Sequence, residues 1–317
     1  MFTAFAGVLS ASAADSQLLN MVMPDAKVIA GVNVDSAKNS PFGLYVLAQI
    51  QSNNTELQQL IALTGFDPTR DVDEVLVATP SAAGSKVSGL VLARGTFDPA
   101  MATLATAKGA VIEVYNGVTI LEGEDQQAGI AFISTARVAA GDIASVKAAI
   151  DRQGPNPALP AAVVTQVNTW STNEDAWVIT TVPLSALAPA GAGVGTTGGT
   201  TSGNTMPNPM AGVLQQVLQI GGGVKFGSSV VGTAAITADN AADATQIANT
   251  LQFFVNLMQM QAQKNPQLAN VAQGFSVNAQ GTTVNVTITL PEAQFQQLFQ
   301  MEKKAAVGAP ELRGGRK

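Results

Sequence analysis

The chain has 317 residues and a formal net charge of −6, and 46% of it is apolar whereas only 12% is charged. That charged share is about half of the usual 25%, and no cluster of Lys or Arg precedes the C-terminal tail, which argues against nucleic-acid binding by counterion release. Because the sequence contains neither Cys nor His, it excludes disulfides, thiol nucleophiles, Cys-ligated metals, a lipidated Cys anchor and the usual general base near neutral pH.

The N-terminal residues predict export. Residues 2–9 form an uncharged apolar run, and Ala11-Ser12-Ala13 follows it as a small-residue cleavage site before Ala14. We expect residues 1–13 to be a signal peptide that is cut after Ala13, truncated in that it lacks a basic n-region. The expected location is therefore periplasmic or extracellular. The alternative is an apolar N-terminus that frays or docks on the folded body.

The first half of the chain, residues 24–154, predicts an α+β unit. Asn116-Gly117 between two β-branched runs is its strongest hairpin signal, Ser40-Pro41 starts a helix, and Asp142 caps another. The predicted strands are 28–34, 75–79, 87–93, 111–115, 118–121, 128–134 and 137–140, and the predicted helices are 41–50, 55–64, a short one after Phe97 and one after Asp142.

Three prolines, Pro155, Pro157 and Pro160, mark the boundary to a second α+β unit at 161–301, because proline disfavours helix and withdraws a donor. The predicted elements there are a short helix at 163–167, a strand at 177–182, a helix at 210–220, a strand pair from 224, a long helix, a hairpin around Gln280-Gly281 and a final helix from Pro291. The basic, Gly-rich residues 305–317 predict a disordered tail.

The long helix is the element around which the second half is arranged. Ala244, Ile247, Ala248, Leu251, Phe254, Val255 and Met258 recur at helical spacing. A second apolar stripe, formed by Phe253, Leu257 and Met260, lies beside the first. Two adjoining stripes predict a helix that is mostly covered by other parts of the protein. Polar residues interrupt both stripes, and no segment after residue 13 has 18 uninterrupted apolar residues, so we expect no membrane span in the mature chain.

A Gly/Thr-rich tract at 190–209 contains Gly193, Gly195 and Gly198 at the spacing of a dinucleotide-binding fingerprint. That motif needs a strand running into it and a helix starting within it, whereas this tract continues to Asn208-Pro209. We therefore expect a mobile loop, and no cofactor.

Both halves follow the order strand, helix, strand pair, helix, hairpin, helix. The expected fold is α+β with two similar halves, each a mostly antiparallel sheet with helices packed on it. Internal duplication and coincidence both remain open, and the two sheets either pack into one body or join edge to edge.

The densest group of carboxylates is Asp67, Asp71, Asp73 and Glu74. Oxygen ligands of this kind suit Ca²⁺, and Asp residues beside a helix end also make local hydrogen bonds. The same carboxylates would serve a hydrolase, because glycoside hydrolysis requires only Asp and Glu. Glu122, Glu124 and Asp125 are interpreted as a solvated loop.

Trp170 and Trp177 flank residues 171–176. They border a cleft between the halves in one interpretation, and they seal the junction as core or rim aromatics in the other. The whole Trp and Tyr set is Trp170, Trp177, Tyr45 and Tyr115, which is few for sugar stacking.

Four short segments carry a resemblance. They are Gly65-Phe66-Asp67-Pro68, Asp71-Val72-Asp73-Glu74-Val75, Pro24-Asp25-Ala26 and Ser40-Pro41-Phe42-Gly43. In these segments the chain resembles uncharacterised exported bacterial proteins in which a helix ends in a Gly-aromatic-Asp turn and runs into a strand. The resemblance covers the first third. It implies an exported α+β protein of unknown function and no catalytic residue.

The sequence thus favours a non-catalytic exported binding or structural module of the cell envelope, whose partner is another envelope protein or a second copy of itself. The alternatives are a carboxylate-dependent hydrolase acting on glycans or peptides, with Asp67, Asp71 or Asp73 as its acids, and a Ca²⁺-binding module at the same turn.

Overall fold

The structure is a computed structural model that describes residues 13–53, 58, 65–80, 89–98, 101, 111–123, 126–155, 157–187, 215–262 and 271–294. The strands are β1 (Val28–Asn33), β2 (Val72–Thr79), β3 (Leu90–Gly95), β4 (Val111–Tyr115), β5 (Val118–Glu122), β6 (Ala128–Ser134), β7 (Arg137–Asp142), β8 (Ala176–Thr180), β9 (Val217–Lys225), β10 (Ser229–Ala238), β11 (Phe275–Gln280) and β12 (Thr283–Pro291). The helices named below are α1 (Ser16–Met21), α2 (Val34–Lys38), α3 (Pro41–Asn53), α4 (Pro68–Asp71), α5 (Ile143–Asp151), α6 (Ala161–Asn173) and α7 (Ala241–Ala262), and Leu184–Leu187 forms a 3₁₀ turn.

All twelve strands belong to one antiparallel sheet, in the order β11-β12-β10-β9-β8-β1-β2-β3-β7-β6-β5-β4. The α+β class with mostly antiparallel pairing is confirmed, whereas the expectation of one sheet per half is corrected. β1 pairs with β2 on one side and with β8 on the other, so the halves join edge to edge. This junction satisfies backbone groups on two strands that would otherwise be exposed edges.

The main core lies on what we call the first face of the sheet, which carries Ile29, Leu76, Leu92 and Ile179, each no more than 1% exposed. α1, α5 and α6 cover this face with apolar residues such as Leu18, Val146 and Val167. α1 precedes both predicted units, yet its Leu18 and Leu19 are buried in this core.

The opposite, second face is covered in two places. α7 packs on Ile236, Val284 and Val286, and a smaller cluster of Val34, Val72, Ala93 and Phe97 includes Leu47 of α3. On β8, β1, β2 and β3 this face carries the cross-strand row Val178, Ala30, Val77 and Val91, in which the three valines are 41%, 41% and 40% exposed.

Local signals in the sequence placed several elements correctly. Asn116 and Gly117 have φ of 48° and 80° in the β4–β5 hairpin, the positive values that a type I′ turn requires. Asp142 caps α5 by accepting a hydrogen bond from Ser145 N at 2.9 Å, and Ser40 Oγ accepts from Gly43 N at the start of α3.

Two predictions about the second half are wrong. Val217 and Leu218 belong to β9 instead of a helix, because β9 pairs along its length with β10, with Ile220 opposite Ile236. Such pairing overrides a short stretch of helical spacing. α7 is also less covered than expected, since Phe253 and Met260 of its second stripe are each 61% exposed.

Several predictions lie wholly or largely outside the described residues. These are the signal peptide before Ala13, the helix at 55–64, the helix after Phe97, the loop at 190–209, the first part of the helix at 210–220, the final helix beyond residue 294, and the tail at 305–317.

Within the described part of the chain, no helix combines the length and apolar character needed to cross a bilayer.

Candidate functional site

The acidic turn that the sequence singled out is divided by the structure into two pairs. Asp67 caps α4, and its Oδ1 accepts from Thr69 N at 2.9 Å and from Thr69 Oγ1 at 2.7 Å. Asp71 accepts from Asp67 N and forms two 2.6 Å contacts with Arg70, whose hydrogen bond lowers the pKa of Asp71. These two carboxylates are therefore engaged in local hydrogen bonding.

Asp73 and Glu74 lie beyond this turn at the start of β2 and contact a different part of the molecule. Asp73 Oδ2 accepts a hydrogen bond from Arg94 Nη1 at 3.1 Å. Glu74 is only 8% exposed and accepts from Asp15 N at 3.0 and 3.3 Å. Across the described residues, no group of three or more acidic side chains is arranged to hold a metal ion, and Ca²⁺ binding at this turn stays a prediction.

A charge cluster forms around these residues on the first face, and we define it as Asp15, Asp73, Glu74, Arg94 and Arg137. Arg94 Nε lies 3.5 Å from Glu74 Oε2 and 3.9 Å from Asp15 Oδ2. Arg94 and Arg137 are directly opposite each other on β3 and β7. Like charges in that position destabilise a sheet, and the three carboxylates offset this repulsion.

Arg137 differs from Arg94 in its hydrogen bonding. Its Nε is buried and has no hydrogen-bond partner within the described part of the structure. The ion pair that it makes, with Asp15 Oδ1, is 3.9 Å long, which is beyond hydrogen-bond distance. Asp15 Oδ1 already accepts from Gln17 N and Leu18 N as the cap of α1, so it is committed elsewhere.

A cavity of about 530 Å³ lies beside Arg137. The described residues that line it are Ser16, Gln17, Asn20, Met21, Ile133, Arg137, Gln153, Gly154 and Pro155. Hydrogen bonds hold its walls together, because Asn20 Nδ2 donates to Gly154 O at 2.7 Å and Arg152 donates to Met21 O at 2.9 and 3.0 Å. The volume falls in the range of small-molecule sites.

Burial raises the pKa of the Glu74 carboxyl, and the hydrogen bond from Asp15 N and the charge of Arg94 counteract part of this effect. The raised pKa reduces the negative charge of the cluster in mildly acidic solution. None of the described cavity-lining residues is acidic, so the lining provides hydrogen-bond donors and acceptors and one guanidinium, but no pair of carboxyls for acid–base catalysis.

A second group of buried charges lies near the start of β8. Asp175 is 3% exposed and accepts from Lys225 Nζ at 2.9 Å and from Phe226 N at 2.6 Å. Glu174 accepts from Thr233 Oγ1 through Oε1, and burial raises its pKa, whereas its Oε2 is buried without a partner in the described structure. These hydrogen bonds connect the start of β8 to the end of β9 and to β10.

A third group was missed at the sequence level. Glu122 is only 8% exposed, which corrects its interpretation as part of a solvated loop. It shares a hydrogen bond with Glu113, which raises the pKa of Glu122, and Lys147 at 2.8 Å lowers the pKa of Glu113. The Asn116-Gly117 turn sets Glu113 opposite Ile120, so the sequence contained the signal that Glu113 and Glu122 share a face.

The two tryptophans lie in the core. Trp177 is 5% exposed and covers Gly31, where a Cβ would come within 2.5 Å of its ring. Trp170 packs at the edge of the same core against Gly221. The interpretation of these residues as junction aromatics agrees with the structure, and neither lines the Arg137 cavity.

Comparisons with known proteins show similarity at the level of the fold. No protein-family model and no curated protein matches the chain. A solved structure, described as crystal form I of TP0453, aligns with a TM-score of 0.51 over 91% of this chain and 98% of that chain, at 12% sequence identity. At that identity the likeness concerns the fold alone.

Proposed function

We propose that the protein is a non-catalytic exported module of the cell envelope, periplasmic or extracellular, that works by binding. The observation that carries this proposal is the cavity beside Arg137, which combines the Arg137 side chain with amide and hydroxyl groups and has no acidic residue among its described lining. A concave site with a few convergent polar groups is the usual form of a ligand site.

The packing of the N-terminal residues supports the export part of the proposal. The predicted cleavage lies between exposed Ala13 and Ala14, which is 8% exposed and whose N donates to Ser171 Oγ at 2.9 Å. Cleavage there would place the new ammonium group one residue before Asp15, whose N donates to the Glu74 carboxyl at 3.0 Å, and nearby negative charge favours an ammonium group. Ala14, the first residue of the predicted mature chain, is therefore packed against the folded body.

Cell fractionation tests this proposal. We expect the protein in the envelope or secreted fraction, with Ala14 as its N-terminal residue, and cross-linking in cells should link it to another envelope protein or to a second copy. Recovery from the cytoplasm with residues 1–13 retained would contradict export. A protein that is never cross-linked or co-purified with envelope material would contradict the module role.

The internal duplication belongs to this proposal as well. Its support is the sheet order, in which β1, β2 and β3 run outward on one side of the centre and β8, β9 and β10 on the other, each half ending in an edge hairpin. Related sequences in which the two halves resemble each other more closely would test it.

The hydrolase alternative is favoured by one observation, the placement of Glu113 and Glu122 on the same face of the β4–β5 hairpin. Two carboxyls whose pKa values are pushed apart are the pattern of an acid–base pair, and here the pKa of Glu113 is lowered and that of Glu122 is raised. A panel of glycosides and peptides tests this alternative. Turnover that Glu113→Gln or Glu122→Gln abolishes would favour a hydrolase over a binding module. The substitutions Asp67→Asn, Asp71→Asn and Asp73→Asn test whether the carboxylates predicted from the sequence are catalytic.

Calcium binding is tested by ligand linkage, since a ligand of the folded state raises the melting temperature. If millimolar calcium raises the melting temperature and Asp67→Asn or Asp71→Asn removes that rise, this alternative is supported. An unchanged melting temperature would eliminate it.

A further inference from the structure

We propose that the cavity beside Arg137 binds the carboxylate group of a small molecule that carries hydroxyl or amide groups, with the Arg137 guanidinium as its anchor. The inference rests on the proposed binding function and names the class of ligand.

The first argument is the position of Arg137. Its side chain lines the cavity and is 24% exposed, whereas its Nε is buried and has no acceptor in the described structure. A guanidinium carries five N–H donors, and the exposed part of this side chain is what a ligand in the cavity would contact. Arg94, directly opposite, has its acceptor in Asp73.

The second argument concerns the charge that the site accepts. Arginine binds carboxylate and phosphate through two parallel hydrogen bonds. Two guanidiniums in the charge cluster already face three carboxylates, and Asp15 Oδ1 lies 3.9 Å from Arg137 Nε. A phosphate dianion would place two further negative charges beside Asp15, whereas a carboxylate places one. Because the cluster already holds more carboxylates than guanidiniums, its charge disfavours a phosphate dianion more strongly than a carboxylate.

The third argument is the remaining lining. Ser16, Gln17, Asn20 and Gln153 offer hydroxyl and amide groups, and Met21 and Ile133 add apolar surface. Asn20 is 8% exposed, and its donation to Gly154 O orients its amide. Amides both donate and accept, which matches ligand groups such as hydroxyls and peptide units. Because hydrogen bonds connect the walls, the site is largely formed before the ligand binds.

Calorimetric titration of the full chain tests the proposal with four probes. D-Glucuronate represents a sugar acid, N-acetyl-alanyl-alanine represents a peptide C-terminus, D-glucose is the neutral match of the first, and glucose 6-phosphate carries the dianion. We expect saturable binding of at least one carboxylate, and the tighter of the two identifies the source of the group. Glucose should show no binding, and glucose 6-phosphate should bind at least tenfold more weakly than the better carboxylate.

Variants locate the site. Arg137→Met should weaken carboxylate binding by about tenfold to hundredfold, the range for a hydrogen bond to a charged group, and Arg137→Lys should retain part of it because it keeps the charge without the bidentate geometry. Arg70→Met removes an exposed arginine of the α4 turn and should leave binding unchanged. The amide signal dispersion of each variant in NMR spectra verifies its fold.

Three results would overturn the inference: no saturable binding of either carboxylate, equal binding of glucose or glucose 6-phosphate, or full binding by a folded Arg137→Met variant. Each of them leaves export and recovery with an envelope partner intact, so failure of this inference is distinguishable from failure of the proposed function.

Discussion

The charge cluster around Arg137 and the buried Asp175 belong to the same sheet, and they use their charges differently. Asp175 has a backbone and a side-chain partner from the neighbouring segment, Lys225 and Phe226. Arg137 has a carboxylate only at 3.9 Å and a cavity beside it. Asp175, whose partners belong to the chain itself, serves the fold, whereas Arg137 is the anchor of the proposed ligand site.

The comparison predicts its largest effect at Asp175. We expect Asp175→Ala to lower the free energy of unfolding by about 2–3 kcal/mol, because it leaves Phe226 N without its acceptor and removes the partner of Lys225. Asp175→Asn keeps an acceptor oxygen and should cost less. Denaturant titration measures both, and a loss below about 0.5 kcal/mol for Asp175→Ala would remove the structural role assigned to this pair.

A smaller effect is expected at Arg94, the satisfied member of the arginine pair. Arg94→Met should cost about 1–2 kcal/mol, because Asp73 and the buried Glu74 lose their cation. The same titration measures it, and the matched change is Arg137→Met. Equal losses for the two variants would contradict the distinction between a satisfied and an unsatisfied arginine.

The two buried glutamates predict a pH dependence. Burial raises the pKa of both Glu74 and Glu174, so the folded state holds these protons more tightly than the unfolded chain. Stability should therefore fall as pH rises from about 4.3, the ordinary value, through the raised folded pKa. Glu74→Gln and Glu174→Gln should each flatten this decline. Melting temperatures across that range test it, and unchanged slopes would contradict the sign.

The smallest change in stability is expected for Arg137→Met. Removing a cation whose buried Nε lacks a partner should alter the free energy of unfolding by no more than about 0.5 kcal/mol, because an apolar side chain of similar length keeps the packing. A loss above about 2 kcal/mol would show that Arg137 supports the fold, and the comparison between the two charge groups would then fail.

Local chemistry explains which parts of the fold were predictable. Asn116-Gly117 determined a hairpin and its register, and Asp142 and Ser40 determined helix starts, because each of these signals acts over a few residues. Val217 and Leu218 were misassigned, since their strand state depends on pairing with β10. The exposure of Phe253 and Met260 also depends on distant parts of the chain that periodicity does not report.

The candidate site shows the same limit. Asp73 and Glu74 were singled out as acidic, and Glu113 and Glu122 could have been placed together from the hairpin register. Arg94 and Arg137 carried no signal. They meet only because β3 pairs with β7 and α1 brings Asp15 to them from another part of the chain.

By itself the sequence determined the absence of thiol and imidazole chemistry, the α+β class and the local turns and caps, because composition and short-range hydrogen bonding are written along the chain. Only the tertiary structure decided that the two halves share one sheet, that the acidic turn is divided between two sites, and that Arg137 lies beside a cavity. These features depend on residues far apart in sequence, whose positions follow from strand pairing and burial.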